Sequence, residues 1–132
     1  MIKGLEIDYL DGEPGVFSRR WLDRECTDKE LVEIALEKLK GAPRNKRGAQ
    51  LRVVIAFKLN SQTKAITAEG ILRGRITEKP MAEIIPGYPF RSIFYIPAID
   101  KILGKLSMAE EAKIAHRKIA LEKLIPKIQE LI

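Results

Sequence analysis

The clearest hydrophobic pattern in the chain is the apolar run over residues 53–57. Because this run is apolar on both faces of an extended segment, it predicts a central strand over residues 50–59. A turn at residues 60–62 follows, and residues 64–76 predict a second strand. The two strands are expected to pair as an antiparallel hairpin.

Weaker strand patterns flank this hairpin. Apolar and polar residues alternate over residues 4–10, and residues 93–96 form a short apolar segment, so each predicts a strand. Gly70 and Gly74 interrupt the second hairpin strand. Glycines in a strand are typical of bulges or of a close approach by another part of the chain.

Two segments carry the capping signal of a helix start. Thr27 and Ser107 are each followed three residues later by a glutamate, which is the spacing of a capping box. The first helix is expected to end at Gly41 and Pro43, and the second is expected to run unbroken until Pro126 kinks or ends it. The apolar stripe of the second helix is predicted to consist of Ile114, Leu121, Leu124, Ile125 and Ile128.

Together the elements predict one α/β domain over residues 1–132, with a mixed sheet whose central antiparallel hairpin is flanked by helices. Residues 77–92 form a long loop, which in a compact domain is typically functional or mobile. No apolar stretch approaches the roughly 20 residues of a membrane helix, and residues 1–6 show no apolar signal region. The sequence therefore favours a soluble, cytoplasmic protein without a membrane partner.

Composition narrows the chemistry. With one cysteine, Cys26, and one histidine, His116, the chain forms no internal disulfide and no zinc site of the His/Cys type. The net charge of +6 favours anionic partners such as nucleotides or nucleic acids, although a lysine-rich and glutamate-rich surface gives the same balance.

Three segments carry residues suited to nucleotide recognition: residues 12–21, 87–94 and 115–117. Each alone is more often structural, as a turn, as core aromatics or as a solvated helix face. In the functional interpretation, Phe90 offers a stacking face for a base. Arg91, His116 and Arg117 then donate hydrogen bonds to base carbonyls or phosphate oxygens.

Five motifs occur in an order that spans nearly the whole chain: Gly4-Leu5-Glu6-Ile7-Asp8, Gly12 to Trp21, Glu69-Gly70 with Gly74-Arg75-Ile76, Tyr88 to Phe94, and Ala115-His116-Arg117. This ordered series resembles the inosine/xanthosine triphosphate pyrophosphatase family, the house-cleaning purine nucleoside-triphosphate pyrophosphatases. The resemblance implies the family's elongated mixed sheet without its first strands. It also implies hydrolysis of non-standard purine nucleoside triphosphates to monophosphate and pyrophosphate, a magnesium cofactor and a homodimer. The substrate-binding residues it implies are Tyr88, Phe90, Arg91, Lys113, His116 and Arg117.

The chain departs from the family pattern at its start. Met1 and Ile2 stand where the family has a pair of aspartates, one of which serves metal binding, and Lys3 stands at a substrate-contacting serine. The family's phosphate-cradling loop and a further acidic metal ligand lie upstream of these positions. We therefore identify no catalytic residue and no metal ligand in the chain. It is expected to be weak or inactive alone, and a separate N-terminal half is a possible partner.

Other departures fall within the matched part. Arg91 stands at the base-reading aspartate, Glu111 stands at a helix lysine, with Lys113 two residues on, and Ala115 stands at a serine. These changes leave a non-catalytic nucleotide-binding module as an alternative. A weaker alternative is a nucleic-acid-binding domain that uses Arg44, Lys46, Arg47, Arg73 and Arg75.

Overall fold

The structure is a computed structural model that describes residues 2–131, with the side chains of residues 4–131. Its strands are β1 (Ile2–Ile7), β2 (Pro14–Gly15), β3 (Gly48–Phe57), β4 (Ile66–Ile76), β5 (Phe94–Ile96) and β6 (Lys101–Ile102). Its helices are α1 (Asp28–Lys38), α2 (Met108–Ile114) and α3 (His116–Gln129). None of the helices in residues 2–131 is long and apolar enough to cross a membrane.

The strands form one sheet in the order β2-β1-β3-β4-β5-β6. The predicted α/β fold with a central hairpin is confirmed, since β3 and β4 pair throughout from Gly48 opposite Arg75 to Phe57 opposite Ile66. All the described pairings run antiparallel, whereas the sequence predicted a mixed sheet.

One face of the sheet carries the core. Leu5, Leu51 and Leu72 lie opposite one another across β1, β3 and β4, and directly opposed residues share a face. Helix α1 contributes Val32 and Ala35 to the same buried cluster. The other face carries ion pairs. Arg52 Nη2 on β3 lies 2.6 Å from Glu69 Oε2 on β4, and Arg73 Nη2 on β4 lies 2.7 Å from Oδ2 of Asp8, in the turn after β1.

Both glycines of β4 are sites of close approach, and neither is a bulge, because the pairing with β3 is continuous. A Cβ atom at Gly70 would lie 1.8 Å from the carbonyl oxygen of His116, so the start of α3 packs directly on the strand. At Gly74 a Cβ atom would lie 2.6 Å from the ring of Phe94. Both positions exclude a side chain for reasons that involve distant parts of the chain.

The first strand is shorter at its C-terminal end than predicted. β1 ends at Ile7, and residues Asp8–Leu10 form a 3-10 turn. Asp11 follows in the left-handed region with φ 53°, and the Gly12 N–H donates to the Ile7 carbonyl at 3.0 Å. The turn-forming residues therefore begin to bend the chain earlier than the alternating pattern suggested.

Both capping boxes are present, at Thr27 with Glu30 and at Ser107 with Glu110. The prediction of one helix after Ser107 is wrong, because Ala115 adopts an extended ψ of 130° and separates α2 from α3. The buried residues of α3 are Ala120 and Leu124. Of the predicted stripe residues in α3 only Leu124 is fully buried, whereas Leu121 and Ile125 are about half exposed.

Pro126 lies inside α3, which continues to Gln129. The long loop at residues 77–92 is not structureless. Its start is held by hydrogen bonds from Thr77 N to the Ile93 carbonyl and from Met81 N to the Ser92 carbonyl, and residues Pro89–Ser92 form a 3-10 turn. This anchoring fixes the segment that carries Phe90 and Arg91.

Candidate functional site

A cavity of about 220 Å³ opens on the core face of the sheet. Its floor is the row of leucines on β1, β3 and β4, namely Leu5, Leu51 and Leu72. Residues 18–19, 87–91 and 115–117 form its walls, together with single residues of α1 and α2. The three segments that the sequence singled out therefore meet at one cavity. An apolar floor with a few polar groups at the walls is typical of small-molecule sites.

The aromatic wall comes from the loop before β5. The ring of Phe90 is partly buried and packs edge to face against Trp21, with centroids 6.3 Å apart and an interplanar angle of 77°. Tyr88 also lines the cavity and is 53% exposed, so its ring lies toward solvent. The guanidinium of Arg91 lies 5.8 Å from the Tyr88 centroid. This wall is suited to a flat ligand.

The opposite wall is the break between α2 and α3. Because Ala115 is extended, His116 and Arg117 occupy the first turn of α3 and line the cavity. The first N–H groups of a helix have no partner within the helix and carry a partial positive charge. His116 is partly buried and Arg117 is exposed. This wall therefore offers donors to an acceptor-rich ligand.

Arg91 and Glu111 form an ion pair in the wall of the cavity, with side chains 26% and 31% exposed. The acidic neighbour of Arg91 is therefore Glu111, on α2. The pair also accounts for two departures from the family pattern. Where the resemblance places an aspartate and a lysine, this chain has an arginine and a glutamate, so the two charges are exchanged and still neutralise each other.

Lys113 is not brought to this site. It is exposed on α2 and lies outside the lining of the cavity. Residues two apart on a helix point to different sides, and Glu111 occupies the side that faces the cavity. The structure thus gathers Tyr88, Phe90, Arg91, His116 and Arg117 at one place and leaves Lys113 outside.

Sequence reasoning missed the residues that connect the walls. Asp28 Oδ1 lies 2.7 Å from Arg19 Nη1, and Asp28 Oδ2 accepts from the Gly87 N–H at 2.9 Å. The Gly87 hydrogen bond, followed by the bond from Arg19, lowers the pKa of Asp28 below its ordinary value of 3.8. Only the motif over residues 12–21 pointed to Ser18 and Arg19, and Asp28 carried no signal beyond its place in a first helical turn.

The lining does not form a magnesium site. Magnesium prefers carboxylate and phosphate oxygens. Glu111 is the one carboxylate in the described lining, and Arg91 neutralises it. Among the residues whose side chains are described, no group of three or more His, Cys, Asp or Glu side chains is placed to hold a metal ion.

Comparison with known proteins agrees with the motif order. The model of the Ham1 family matches residues 3–127. The dITP/XTP pyrophosphatase of Halalkalibacterium halodurans is 37% identical over 121 residues, covering 92% of this chain and 61% of that protein. The dITP/XTP pyrophosphatase of Bacillus subtilis is 38% identical over 122 residues, covering 92% of this chain and 60% of that protein.

Solved structures show the same fold. The Staphylococcus aureus Ham1 protein superposes with a TM-score of 0.85 at 29% identity, covering 99% of this chain and 66% of that one. A HAM1 protein from Coxiella burnetii gives 0.82 at 32% identity, covering 97% and 64%. The chain spans about 60% of the length of the curated relatives it matches. On the family model, the relatives and the fold, the chain belongs to the Ham1 family.

Proposed function

We propose that the protein takes part in the hydrolysis of non-standard purine nucleoside triphosphates to monophosphate and pyrophosphate, and that its cavity holds the base. The observation that carries the proposal is the meeting of residues 87–91 and 115–117 over an apolar floor. These segments lie more than 20 residues apart in the chain. The names of the relatives, dITP/XTP pyrophosphatases, support the same substrate class.

In this proposal, the base lies flat between the aromatic wall and the leucine floor. Phe90 covers one face of the purine, and its contact with Trp21 holds the ring in position. Arg117 donates to a base carbonyl, and a neutral His116 donates from one ring nitrogen and accepts at the other. Tyr88 closes the mouth from the solvent side.

Base preference depends on the ion pair of Arg91 and Glu111. Arg91 retains donors beyond those that bind Glu111, because a guanidinium has five N–H groups. The guanidinium is therefore available to a base carbonyl while Glu111 holds it in position. A carboxylate directly against the base would instead select N–H groups. Deaminated purines, which carry carbonyls in place of amino groups, suit the donor-rich arrangement.

Magnesium, which the resemblance implies, would neutralise phosphate charge and activate water if it were bound. The described lining offers no free carboxylate for it. We therefore expect the chain by itself to bind nucleotide and to hydrolyse it slowly. A partner with the acidic groups of an N-terminal half would raise the rate. The engagement of Glu111 by Arg91 also favours the second candidate, a nucleotide-binding module without turnover.

Two measurements on the same sample test these proposals. Pyrophosphate release from inosine and xanthosine triphosphate with magnesium measures turnover, and the fluorescence of Trp21, the only tryptophan, reports binding beside Phe90. We expect saturable binding with turnover below about 1 per second, the lower end of typical enzyme rates. Any turnover above the uncatalysed rate would contradict the module without catalysis, and faster turnover than this would contradict the expectation of slow hydrolysis by the chain alone. Absence of binding would contradict both candidates.

A further inference from the structure

A second cavity of about 220 Å³ is lined by the last two residues of β4, Arg75 and Ile76, and shares no lining residue with the first. Its polar lining consists of Arg44, Arg47, Arg75, Thr77, Glu78 and Tyr95. The basic loop after α1 supplies Arg44 and Arg47, neither of which lines the first cavity.

Arg47 gives the cavity a fixed positive charge. Its side chain is 5% exposed, and its Nε, Nη1 and Nη2 atoms donate to the main-chain carbonyls of Ile76, Leu39 and Thr77 at 2.9, 2.9 and 2.7 Å. Carbonyls satisfy the donors but do not neutralise the charge. Within the described side chains, Arg47 forms no ion pair with a carboxylate.

Arg75 is held in place by an aromatic ring. Its guanidinium carbon lies 4.1 Å from the centroid of the Tyr95 ring, directly across the pairing of β4 and β5. The Tyr95 hydroxyl donates to Asp100, and this bond raises the pKa of Tyr95. A stacked guanidinium keeps its N–H edges available. Neither Arg44 nor Arg75 forms an ion pair with any carboxylate in the described part of the chain.

We propose that this second cavity is a binding site for a small phosphate-bearing anion, such as inorganic phosphate or pyrophosphate. Arg44 and Arg75 would donate to the oxygens in pairs, and Arg47 would supply the fixed charge behind them. Glu78 is the one acidic side chain in the described lining, so the cavity keeps a net positive charge. Tyr95 is the one aromatic residue in its described lining, and Arg75 already stacks on that ring, which favours a small anion over a whole nucleotide.

The arrangement argues against a nucleic-acid surface. Such a surface needs a row of accessible cations that follow the backbone. Here Arg47 is buried, and Arg73, which lies on β4, forms an ion pair with Asp8. The five basic residues that the sequence grouped together therefore do not form one exposed surface, and three of them, Arg44, Arg47 and Arg75, converge on a cavity instead.

The test is a calorimetric titration of pyrophosphate, and of inorganic phosphate, into the full chain. The test variant is Arg44→Gln/Arg75→Gln. The matched control is Lys46→Gln/Arg73→Gln, which removes the same charge from the same turn and strand but leaves the cavity lining intact. Circular dichroism checks that both variants fold. We expect saturable binding to the wild type and the control, and binding at least about tenfold weaker in the test variant, since each arginine donates charge-assisted hydrogen bonds.

Three results would overturn the proposal. The first is no saturable binding to the wild type, and the second is equal loss in the two double variants, which would indicate diffuse attraction. The third is loss on Arg117→Gln with retention in Arg44→Gln/Arg75→Gln, which would place the anion in the first cavity. Titration with a single-stranded oligonucleotide distinguishes a small anion from a nucleic-acid backbone as the source of the phosphate. Binding of the oligonucleotide far tighter than pyrophosphate, with a steep salt dependence, would also contradict a small-anion site.

Discussion

At the scale of single residues, Asp28 connects two walls of the first cavity. Its two carboxylate oxygens bind Arg19 on one side and the backbone of Gly87 on the other. Gly87 has a positive φ of 81° at the start of the segment that carries Phe90 and Arg91. A carboxylate that holds both segments positions the walls before a ligand arrives.

Two substitutions of Asp28 measure these two contacts separately. Asp28→Ala removes both, and we expect binding of inosine triphosphate to weaken by about fivefold to tenfold, equivalent to about one net hydrogen bond. Asp28→Asn keeps an acceptor for the Gly87 N–H and loses the ion pair, so its loss should be smaller. Glu33→Ala, an exposed change on the same helix, serves as the control in the titrations. Wild-type affinity in Asp28→Ala would show that the contact does not position the site.

The lowered pKa of Asp28 also predicts a pH dependence of stability. The unfolded carboxyl has its ordinary pKa near 3.8 and the folded one titrates lower, so the folded state binds its proton less readily. The stabilisation is therefore fully present above the unfolded pKa and is lost as pH falls through the folded pKa. Urea unfolding should show wild type more stable than Asp28→Asn at pH 7, with the difference shrinking toward pH 3. A difference that stays constant would contradict this assignment.

At the scale of elements, the contact between α3 and β4 determines where the histidine and arginine stand. The capping boxes of α1 and α2 were predictable because they depend on residues three apart. The break at Ala115 was not, because no glycine or proline marks it. It coincides with the place where the His116 carbonyl meets Gly70, a contact made across the fold. Local pattern therefore predicted the helices and missed the junction that presents His116 and Arg117 to the cavity.

Gly70→Ala tests this contact. The added Cβ would lie 1.8 Å from the His116 carbonyl oxygen, so α3 must move away from β4. We expect the free energy of unfolding to fall by about 1–3 kcal/mol, the usual range for overpacking. Ala56→Ser adds one atom at an exposed position on β3 and should be nearly neutral. Urea denaturation measures the free energy of unfolding of both variants. Equal values would show that α3 moves away from β4 without loss of stability.

At the scale of the whole molecule, the hairpin and α1 follow from local patterns, whereas the cavities follow from how distant segments meet. The central position of residues 53–57 was visible in their apolar run. The meeting of Phe90 with His116 was suggested only by the family resemblance. The second cavity was not predictable from the sequence. Its three arginines belong to a larger set of basic residues, and only the folded structure separates them from Lys46 and Arg73.

The oligomeric state remains a prediction. Phe17 is 73% exposed and Val16 is 55% exposed beside the short edge strand β2. Exposed apolar side chains next to a strand edge are typical of an interface, and the family resemblance implies a homodimer. Sedimentation at high micromolar concentration should give twice the mass of one chain, and Phe17→Glu should shift the protein toward monomer. A clean monomer of the wild type would contradict the prediction.

In the proposed function, the cavity between the aromatic wall and the start of α3 binds a purine nucleoside triphosphate. Calorimetric titration of inosine triphosphate into the wild type, Arg117→Gln and Lys123→Gln tests it most directly. Lys123 is an exposed residue of α3 outside the cavity lining and controls for charge. We expect one site per chain in the wild type and Lys123→Gln, with affinity weakened about tenfold in Arg117→Gln by the loss of a charged hydrogen bond. No saturable binding to the wild type, or the same affinity in all three proteins, would contradict it.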